Sequence, residues 1–301
     1  MRRFSKRQNS TSTDRRKFIY ISRRQSTTGD LITFGIKGRS YIGVSGASSV
    51  KEALEVTGAF SAAGLDCDSG HVPMMGFQVS YKSVKYGFSG GNRRVPRFDA
   101  LPGLMEAVNG KVFATVHYYT KSEENLRREI GAVLNNGLIF PNGIVDGLQI
   151  NGIWPSQKLM ADLKKAFPGL KVILQLSPDK GDIEVENAAS DLARDDYGAD
   201  YLLIDFSRGT GKEIDVESAA DAYRMLRNGG AQTPVAFAGG LTGENVVGIL
   251  GRLSSKIGTE NFSIDAEGGL RDRLGDGFGN DELNMEKVRA YLRNAAKAFS
   301  K

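Results

Sequence analysis

The sequence predicts a (β/α)₈ barrel at residues 40–301, preceded by a basic extension at residues 1–39. Three observations support this fold class. Short apolar runs alternate eight times with helical stretches. The runs are apolar at consecutive positions, as in parallel strands buried on both faces, and the last three lead into glycine-rich turns. Eight such units, joined by right-handed crossovers, close naturally into a barrel.

A doubly wound open sheet is the alternative architecture, because it is also built from strands that alternate with helices. That fold usually has fewer strands, and a G-x-G-x-x-G fingerprint follows its first strand. Here the first strand leads into Gly46-Ala47-Ser48, which does not fit the fingerprint. The sequence therefore favours the barrel.

The predicted strands are runs of mainly apolar residues, and they fall at residues 41–45, 73–79, 112–117, 147–150, 171–176, 199–205, 234–238 and 262–265. A helix follows each strand, at about residues 49–57, 99–108, 122–134, 155–167, 184–194, 216–226, 244–253 and 285–299. Ser49 is expected to be the N-cap of the first helix, because its hydroxyl can accept from a free backbone N–H. Pro155 is expected in the first turn of the fourth helix, where proline is tolerated.

The positive charge of the chain is concentrated in its first 40 residues. These hold eleven basic and two acidic residues, whereas the rest of the chain has 29 basic against 33 acidic residues. The predicted barrel thus carries a net charge of −4 although the whole chain carries +5. Binding to nucleic acid is therefore not expected of the barrel.

The N-terminal extension is rich in Arg and Ser and poor in acids. This composition is typical of an organellar transit peptide, of an unstructured tail and of an over-extended start of translation. A cytoplasmic location is the expectation, with an organelle as the alternative if the extension is a transit peptide. Two short β-like runs, at residues 18–21 and 31–34, could form a hairpin.

Composition also narrows the classes of site that the chain can hold. Cys67 is the only cysteine, and His71 and His117 are the only histidines, so a cysteine-based metal site is excluded. We expect neither a metal nor a cofactor. No apolar run approaches the roughly 20 residues that span a bilayer, so the chain is expected to be soluble, without a membrane partner.

The active site of such a barrel lies at the carboxyl ends of its strands. The predicted strand ends are polar, and the residues there are Ser45, Gln78, His117, Gln149, Asn151, Gln175, Asp205, Asp265 and Glu267. Asp205 is the strongest candidate, because it is a lone carboxylate after an apolar run, and partial burial would make it a proton donor near neutral pH. The alternative is that Asp205 caps the following loop. Asp265 has the same pattern, and it would either contact a substrate or orient its own glycine loop.

Two glycine pairs follow the last two strands, Gly239-Gly240 and Gly268-Gly269. Glycine lets backbone N–H groups approach a ligand without side-chain obstruction, and barrels often bind phosphate at this position. Although single Gly-Gly pairs are common in turns, two pairs on adjacent strand ends predict a phosphate site. The expected partner is therefore a small phosphorylated metabolite.

Other side chains near the predicted mouth are open to two interpretations. His117 could be a base or a substrate contact, or it could be hydrogen-bonded without a functional role. Arg93, Arg94 and Arg97 share one loop after the second strand and could receive a carboxylate or phosphate, although surface loops also collect arginines. Trp154 is expected to pack against the fourth helix.

The chain resembles the phosphoribosylanthranilate isomerases of tryptophan biosynthesis. The likeness is concentrated in residues 198–205 with Gly209-Thr210-Gly211-Lys212, in residues 234–246, and in residues 265–269, with weaker matches at residues 43–46 and 147–152. Together these span about residues 41–299. The runs Gly-Thr-Gly-Lys and Ala-Gly-Gly-Leu-Thr-x-Glu-Asn are fairly specific.

The resemblance implies an Amadori rearrangement, in which an aminoaldose phosphate becomes an aminoketose. Asp205 would be the general acid that opens the furanose ring, and the two glycine turns would hold the phosphate. Arg97 would bind the substrate carboxylate, because Pro96-Arg97 best matches the family's Ser-Pro-Arg. Gln149, Asn151 and Asp265 would also contact the substrate.

The general base of that family is a cysteine at the end of the first strand, where this chain has Ser45. A serine hydroxyl is too weakly acidic to act as an unaided base, and Cys67 is expected at the opposite end of the barrel. Asn151 also stands where the family has a histidine. His117 and Glu267 are the remaining candidates for the base.

Three functions follow from these residues. The first is an isomerase of the kind just described, with Asp205, Ser45 and His117 as the catalytic candidates. The second is a lyase acting on a phosphorylated substrate, although the lysine that a Schiff-base mechanism needs is missing from the identified strand ends. The third is a barrel without catalysis that binds a phosphorylated metabolite, which the serine at position 45 keeps open. A homodimer is compatible with each of these functions.

Overall fold

The fold is known from a computed structural model, in which residues 38–88, 90–177, 182–207 and 211–300 are described, with only the backbone described at residues 182 and 183. The chain divides into two compact units, Met1–Leu31 and Ile32–Lys301. The first unit lies outside the described residues, as do the hairpin predicted within residues 18–34 and the Gly209-Thr210 part of the turn after the sixth strand.

Eight parallel strands form a closed barrel, which confirms the predicted fold class. Each strand pairs with the next along the chain, and the eighth pairs with the first. The strands are β1 (Ser40–Ser45), β2 (His71–Ser80), β3 (Phe113–Tyr119), β4 (Gly147–Asn151), β5 (Lys171–Leu176), β6 (Tyr201–Asp205), β7 (Val235–Ala238) and β8 (Ser263–Ala266). All eight predicted strands overlap these spans, and because neighbouring strands are parallel, every carboxyl end lies on one face of the barrel.

Helices surround the barrel, and the described ones are α1 (Val50–Ala62), α2 (Tyr81–Tyr86), α3 (Leu101–Val108), α4 (Glu123–Asn135), α5 (Gln157–Ala166), α6 (Asp182–Leu192), α7 (Val216–Asn228), α8 (Val246–Ile257) and α9 (Met285–Phe299). The Ser49 side chain accepts from Glu52 N, as expected of the N-cap of α1. Helix α5 begins after Pro155 rather than at it, because the Ser156 hydroxyl accepts from Leu159 N and is the N-cap. None of the described helices is long and apolar enough to cross a membrane.

The sequence did not predict α2, which directly follows β2. Ser80 ends the strand and caps the helix by accepting from Ser83 N, while the Ser83 side chain accepts from Ser80 N. Six residues are too few for a helical period to be recognised in the sequence. The helix carries Tyr81 and Lys82 to the mouth of the barrel.

The core has two parts, one between the strands and the helices and one inside the barrel. The inner part includes three aromatic side chains, and the rings of Tyr41 and Tyr201 meet edge to face with their centroids 5.5 Å apart. Phe113 packs beside both. These rings lie in the amino-terminal half of the barrel, and among the described residues the cavity opens at the carboxyl ends of the strands.

A short antiparallel hairpin follows β8 and forms one side of the mouth. Its strands are β9 (Arg271–Arg273) and β10 (Asp281–Leu283). Arg94, from the loop after β2, places one guanidinium nitrogen 2.6 Å from Asp281 and the other 2.8 Å from Glu267. Arg271 donates to the same Asp281 carboxylate at 2.5 Å. The loop after β2 and the hairpin after β8 are thus joined into one rim by buried ion pairs.

Candidate active site

A cavity of about 980 Å³ opens at the carboxyl ends of the strands. Its walls include the polar residues predicted at those ends, namely Gln78, His117, Gln149, Asn151, Gln175, Asp205, Asp265 and Glu267. Barrel geometry explains this convergence, because parallel strands of one closed sheet end at the same face. The volume is sufficient for a small metabolite.

Strand register brings the two predicted carboxylates to one level of the barrel. Asp205 of β6 pairs with Ala238 of β7, and Ala238 pairs in turn with Asp265 of β8. Both carboxylates are buried, with 5% and 6% of their surfaces exposed. The turn Gly239-Gly240 begins one residue beyond Ala238, so it lies between the two acids at the mouth.

Ser45, His117 and Asp265 form a buried hydrogen-bonded chain. The Ser45 hydroxyl lies 2.9 Å from each oxygen of the Asp265 carboxylate and 3.4 Å from Nδ1 of His117. Gly43 and Gly76, which have no Cβ, leave room for these three side chains. A Cβ on Gly43 would lie 2.7 Å from Asp265 Oδ1, and a Cβ on Gly76 would lie 2.4 Å from Ser45 Oγ and 2.3 Å from His117 Cε1.

The surroundings of these three side chains shift the pKa values of Asp265 and His117. The pKa of Asp265 is raised to about 8, chiefly by burial and also by the charges of Glu267 and Asp205, while the hydrogen bond from Ser45 opposes the rise. Burial lowers the pKa of His117 to about 3, so its imidazole is neutral near neutral pH. Nε2 of His117 is buried and has no hydrogen-bond partner among the described residues.

Asp205 is the end of a second hydrogen-bonded chain. Gln149 Nε2 donates to Gln175 Oε1 at 2.9 Å, and Gln175 Nε2 donates to Asp205 Oδ2 at 3.0 Å. Ser207 donates to Asp205 Oδ1 through both its backbone N–H and its hydroxyl. Because Asp205 fixes the direction of both amides, Oε1 of Gln149 is left as a buried acceptor with no described partner, at the cavity wall.

The glycine turns lie at the cavity, with one exception among the predicted residues. Gly239 and Gly240 line it with φ values of 136° and 52°, and Gly268 lines it beside them. Gly211, after β6, also contributes, although the prediction did not include it. Gly269 lies outside the lining, and a Cβ there would lie 2.3 Å from the Leu241 carbonyl oxygen, so this glycine is required for packing between the β7 and β8 turns.

The structure distinguishes between the arginines of the loop after β2. The Arg97 guanidinium is largely exposed and paired with Asp99 at 2.8 Å, and Arg97 lies outside the described cavity lining. Arg94 is instead buried at the mouth, where it holds the Glu267 side chain. This arrangement gives no support to Arg97 as the group that binds a substrate carboxylate.

Two further candidates have defined positions. Asn151 ends β4 and lines the cavity. Glu267 also lines it, but its ion pair with Arg94 makes it a poor candidate for a base. Trp154 stacks on Tyr197 and donates to Asp191, in agreement with the expected packing role. Cys67 is exposed in the segment between α1 and β2, which leads into the amino end of β2.

No protein-family model and no curated protein matches the sequence. Solved structures match most of it. The phosphoribosyl anthranilate isomerase of Thermus thermophilus is 19% identical, with 85% of this chain and 98% of that chain covered and a TM-score of 0.55. A phosphoribosyl anthranilate isomerase in complex with reduced 1-(o-carboxyphenylamino)-1-deoxyribulose 5-phosphate is 14% identical, with 85% and 98% covered and a TM-score of 0.54. Tryptophan synthase from Mycobacterium tuberculosis is 11% identical, with 88% and 95% covered and a TM-score of 0.56.

These matches show that the chain has the fold of the phosphoribosylanthranilate isomerases. The resemblance recognised in the sequence is thereby confirmed for the fold, and the low identity agrees with a divergent sequence. The tryptophan synthase match shows that this fold is shared with a second enzyme. Function has therefore to be argued from the site itself.

Proposed function

We propose that this protein is a sugar-phosphate isomerase that converts an N-aryl aminoaldose phosphate into the corresponding aminoketose. One observation carries the proposal: a buried carboxylate at the end of β6 shares a cavity with the glycine turns after β6, β7 and β8. An acid beside a phosphate site is what the ring opening of a phosphorylated aminosugar requires.

The glycine turns are suited to bind the phosphate group. The Gly240 and Gly268 N–H groups donate to no described residue, and both glycines lie at the cavity wall. Gly211 lies against Gly268, so that three turns meet at one place. Backbone N–H groups from several turns can surround a phosphate without any added side-chain charge.

Asp205 would supply the proton for ring opening. It gives the proton to the ring oxygen while the C1–O bond breaks and the nitrogen lone pair forms a C=N bond. The products are an open-chain protonated Schiff base and the Asp205 carboxylate. The hydrogen bonds from Ser207 and Gln175 stabilise the charge that remains on Asp205.

The test is turnover of phosphoribosylanthranilate, measured by the loss of its fluorescence. We expect the wild type to be active and Asp205→Asn to lose about 10²–10⁴-fold in kcat/KM, the usual contribution of a general acid. Asp221→Asn is the matched control, because Asp221 is exposed on α7 and its ion-pair partner among the described residues is Arg224. A folded wild type without turnover would contradict the proposal.

A barrel that binds such a metabolite without converting it is the second candidate, and Ser45 favours it because the expected cysteine is missing. Calorimetric titration with reduced 1-(o-carboxyphenylamino)-1-deoxyribulose 5-phosphate separates the two functions. Binding together with turnover supports the isomerase. Binding without turnover supports the second candidate.

A further inference from the structure

We propose that Asp265, Ser45 and His117 form a proton relay that serves as the general base of this site, with Nε2 of His117 as the atom that takes the substrate proton. The proposal rests on the isomerase function and supplies the base that Ser45 alone cannot be. In this arrangement His117 is the catalytic residue, and Ser45 and Asp265 act through it.

Hydrogen-bond distances connect the three side chains of the relay without a gap. Ser45 is the bridge, because its hydroxyl reaches Asp265 at 2.9 Å and His117 Nδ1 at 3.4 Å. All three side chains are buried, with 1%, 8% and 6% of Ser45, His117 and Asp265 exposed. They come from β1, β3 and β8, whose backbones the closed sheet holds fixed. His117 and Asp265 border the cavity, whereas Ser45 lies beneath them.

Two proton arrangements fit these contacts. When Asp265 is ionised it can only accept, so Ser45 donates to it and His117 Nδ1–H donates to Ser45. His117 Nε2 then carries a lone pair. When Asp265 is protonated, the directions reverse, Ser45 donates to Nδ1, and Nε2 carries the proton. The state of Asp265 thus decides whether the imidazole accepts or donates at the cavity.

His117 would be a poor base without this relay. Burial disfavours an imidazolium there, as the lowered pKa shows, so a proton taken up at Nε2 must leave through Nδ1. Asp265 can hold that proton, since its pKa lies near 8. His117 borders the cavity, and its Nε2 is buried with no hydrogen-bond partner among the described residues, so this nitrogen is left with an unused hydrogen-bonding capacity.

The charged and titratable groups around Asp265 favour its protonated state. Glu267 follows it on the same loop and Asp205 faces it from β6, and a negative charge on either of them raises the pKa of Asp265. Tyr41 of β1 and Tyr291 of α9 also lie within its electrostatic reach, and burial raises the pKa of both phenols. Arg94, a cation of the same rim, is engaged by Glu267 and Asp281.

The relay would carry out the proton transfer that follows ring opening. His117 Nε2 takes the proton from C2 of the open-chain Schiff base, and the C–H electron pair forms a C1=C2 bond. The C=N electron pair moves to nitrogen and neutralises it, which gives an enaminol. The Nδ1 proton passes to Ser45, and the Ser45 proton passes to Asp265. The enaminol then gains a proton at C1 and loses the C2 hydroxyl proton to become the ketone.

Nuclear magnetic resonance of the ¹⁵N-labelled protein tests the relay without substrate. The chain has two histidines, and His71→Gln assigns the signals. We expect neutral His117 to change from the Nε2–H to the Nδ1–H tautomer as pH rises through about 8. Asp265→Asn and Ser45→Ala should each abolish the change. A single tautomer from pH 6 to 9, an imidazolium formed near 6.5, or an unchanged transition in both variants would overturn the relay.

The NMR test of the relay and the turnover test of the proposed function can fail independently of each other. Turnover by a wild type whose His117 tautomer does not respond to pH refutes the relay and leaves the isomerase standing. A tautomer change without turnover refutes the isomerase, and with it the catalytic use of the relay. In an active wild type, Ser45→Ala should lower kcat/KM at least tenfold and remove the transition of kcat/KM near pH 8, which a merely structural role would not do.

Discussion

The Ser45 hydroxyl lies 2.9 Å from both oxygens of the Asp265 carboxylate, which joins the end of the first strand of the barrel to the end of the last. The family that the chain resembles has a cysteine at the position of Ser45. In this protein the Ser45 hydroxyl occupies that position, and it can relay a proton between its neighbours but cannot retain one. The partner that it contacts, Asp265, is a buried carboxylate that can keep one.

The stability of the fold should depend on pH through Asp265. Its pKa in the folded state is about 8, above the ordinary value of 3.8, so the folded state binds the proton more tightly than the unfolded state does. The stabilisation is complete below about pH 4 and is lost as pH rises through 8, on the order of a few kcal/mol. Urea unfolding at several pH values measures it, and Asp265→Asn should flatten this dependence. An equal dependence in the variant would show that other groups cause it.

Gly76→Ala should displace the side chains of His117 and Ser45. Its Cβ would lie 2.3 Å from His117 and 2.4 Å from Ser45, so we expect a loss of about 1–3 kcal/mol in the free energy of unfolding and loss of turnover. Gly103→Ala is the control, because Gly103 is exposed in α3 with no neighbour within 4 Å, and alanine should stabilise that helix by roughly 0.5–1 kcal/mol. Equal effects of the two changes would count against the packing described.

Gly240→Ala should weaken phosphate binding. The residue has φ = 52° and a Cβ would meet the Gly211 carbonyl oxygen at 2.6 Å, so the two turns must move apart. We expect the dissociation constant of the product analogue to rise at least tenfold in calorimetry. Gly251→Ala in α8, which has open space around it, should leave the constant unchanged. An unaffected Gly240→Ala protein would place the phosphate elsewhere.

Substitutions of Arg94 and Arg97 should have very different effects on stability and on kcat/KM, although the two residues share one loop. Arg94→Ala leaves the buried Asp281 without one of its partners, and such losses cost about 3–5 kcal/mol. Arg97→Ala removes only an exposed pair with Asp99, worth about 0–1 kcal/mol. Thermal unfolding and kcat/KM should both fall for the first change and stay close to wild type for the second. A large loss of kcat/KM in Arg97→Ala would restore it as the residue that binds the substrate carboxylate.

Much of the fold and part of the site could be predicted because a closed barrel brings its strand ends together. Once eight strands were recognised, the positions of Asp205, His117, Gln149 and Asp265 at one mouth followed from their places in sequence. The short helix α2 and the β9–β10 hairpin could not be predicted in the same way, because three to six residues show no reliable period.

The sequence could not show which contacts these residues make. Arg94 differs from Arg97 because of Asp281, which lies 187 positions further along the chain. The role of Gly76 depends on the register of β2 against β3, which sets Gln78 beside His117. The link between Ser45 and Asp265 likewise requires that β8 close the barrel against β1. Such distant pairings leave no local pattern in the sequence.

The most direct measurement is kcat/KM of the wild type for phosphoribosylanthranilate as a function of pH. We expect kcat/KM to show a transition near pH 8, because in the free enzyme Asp265 must be ionised to act as base while Asp205 must be protonated to act as acid. No turnover at any pH would contradict the isomerase. A rate that is already constant from pH 6 upward would contradict Asp265 as the group that receives the substrate proton.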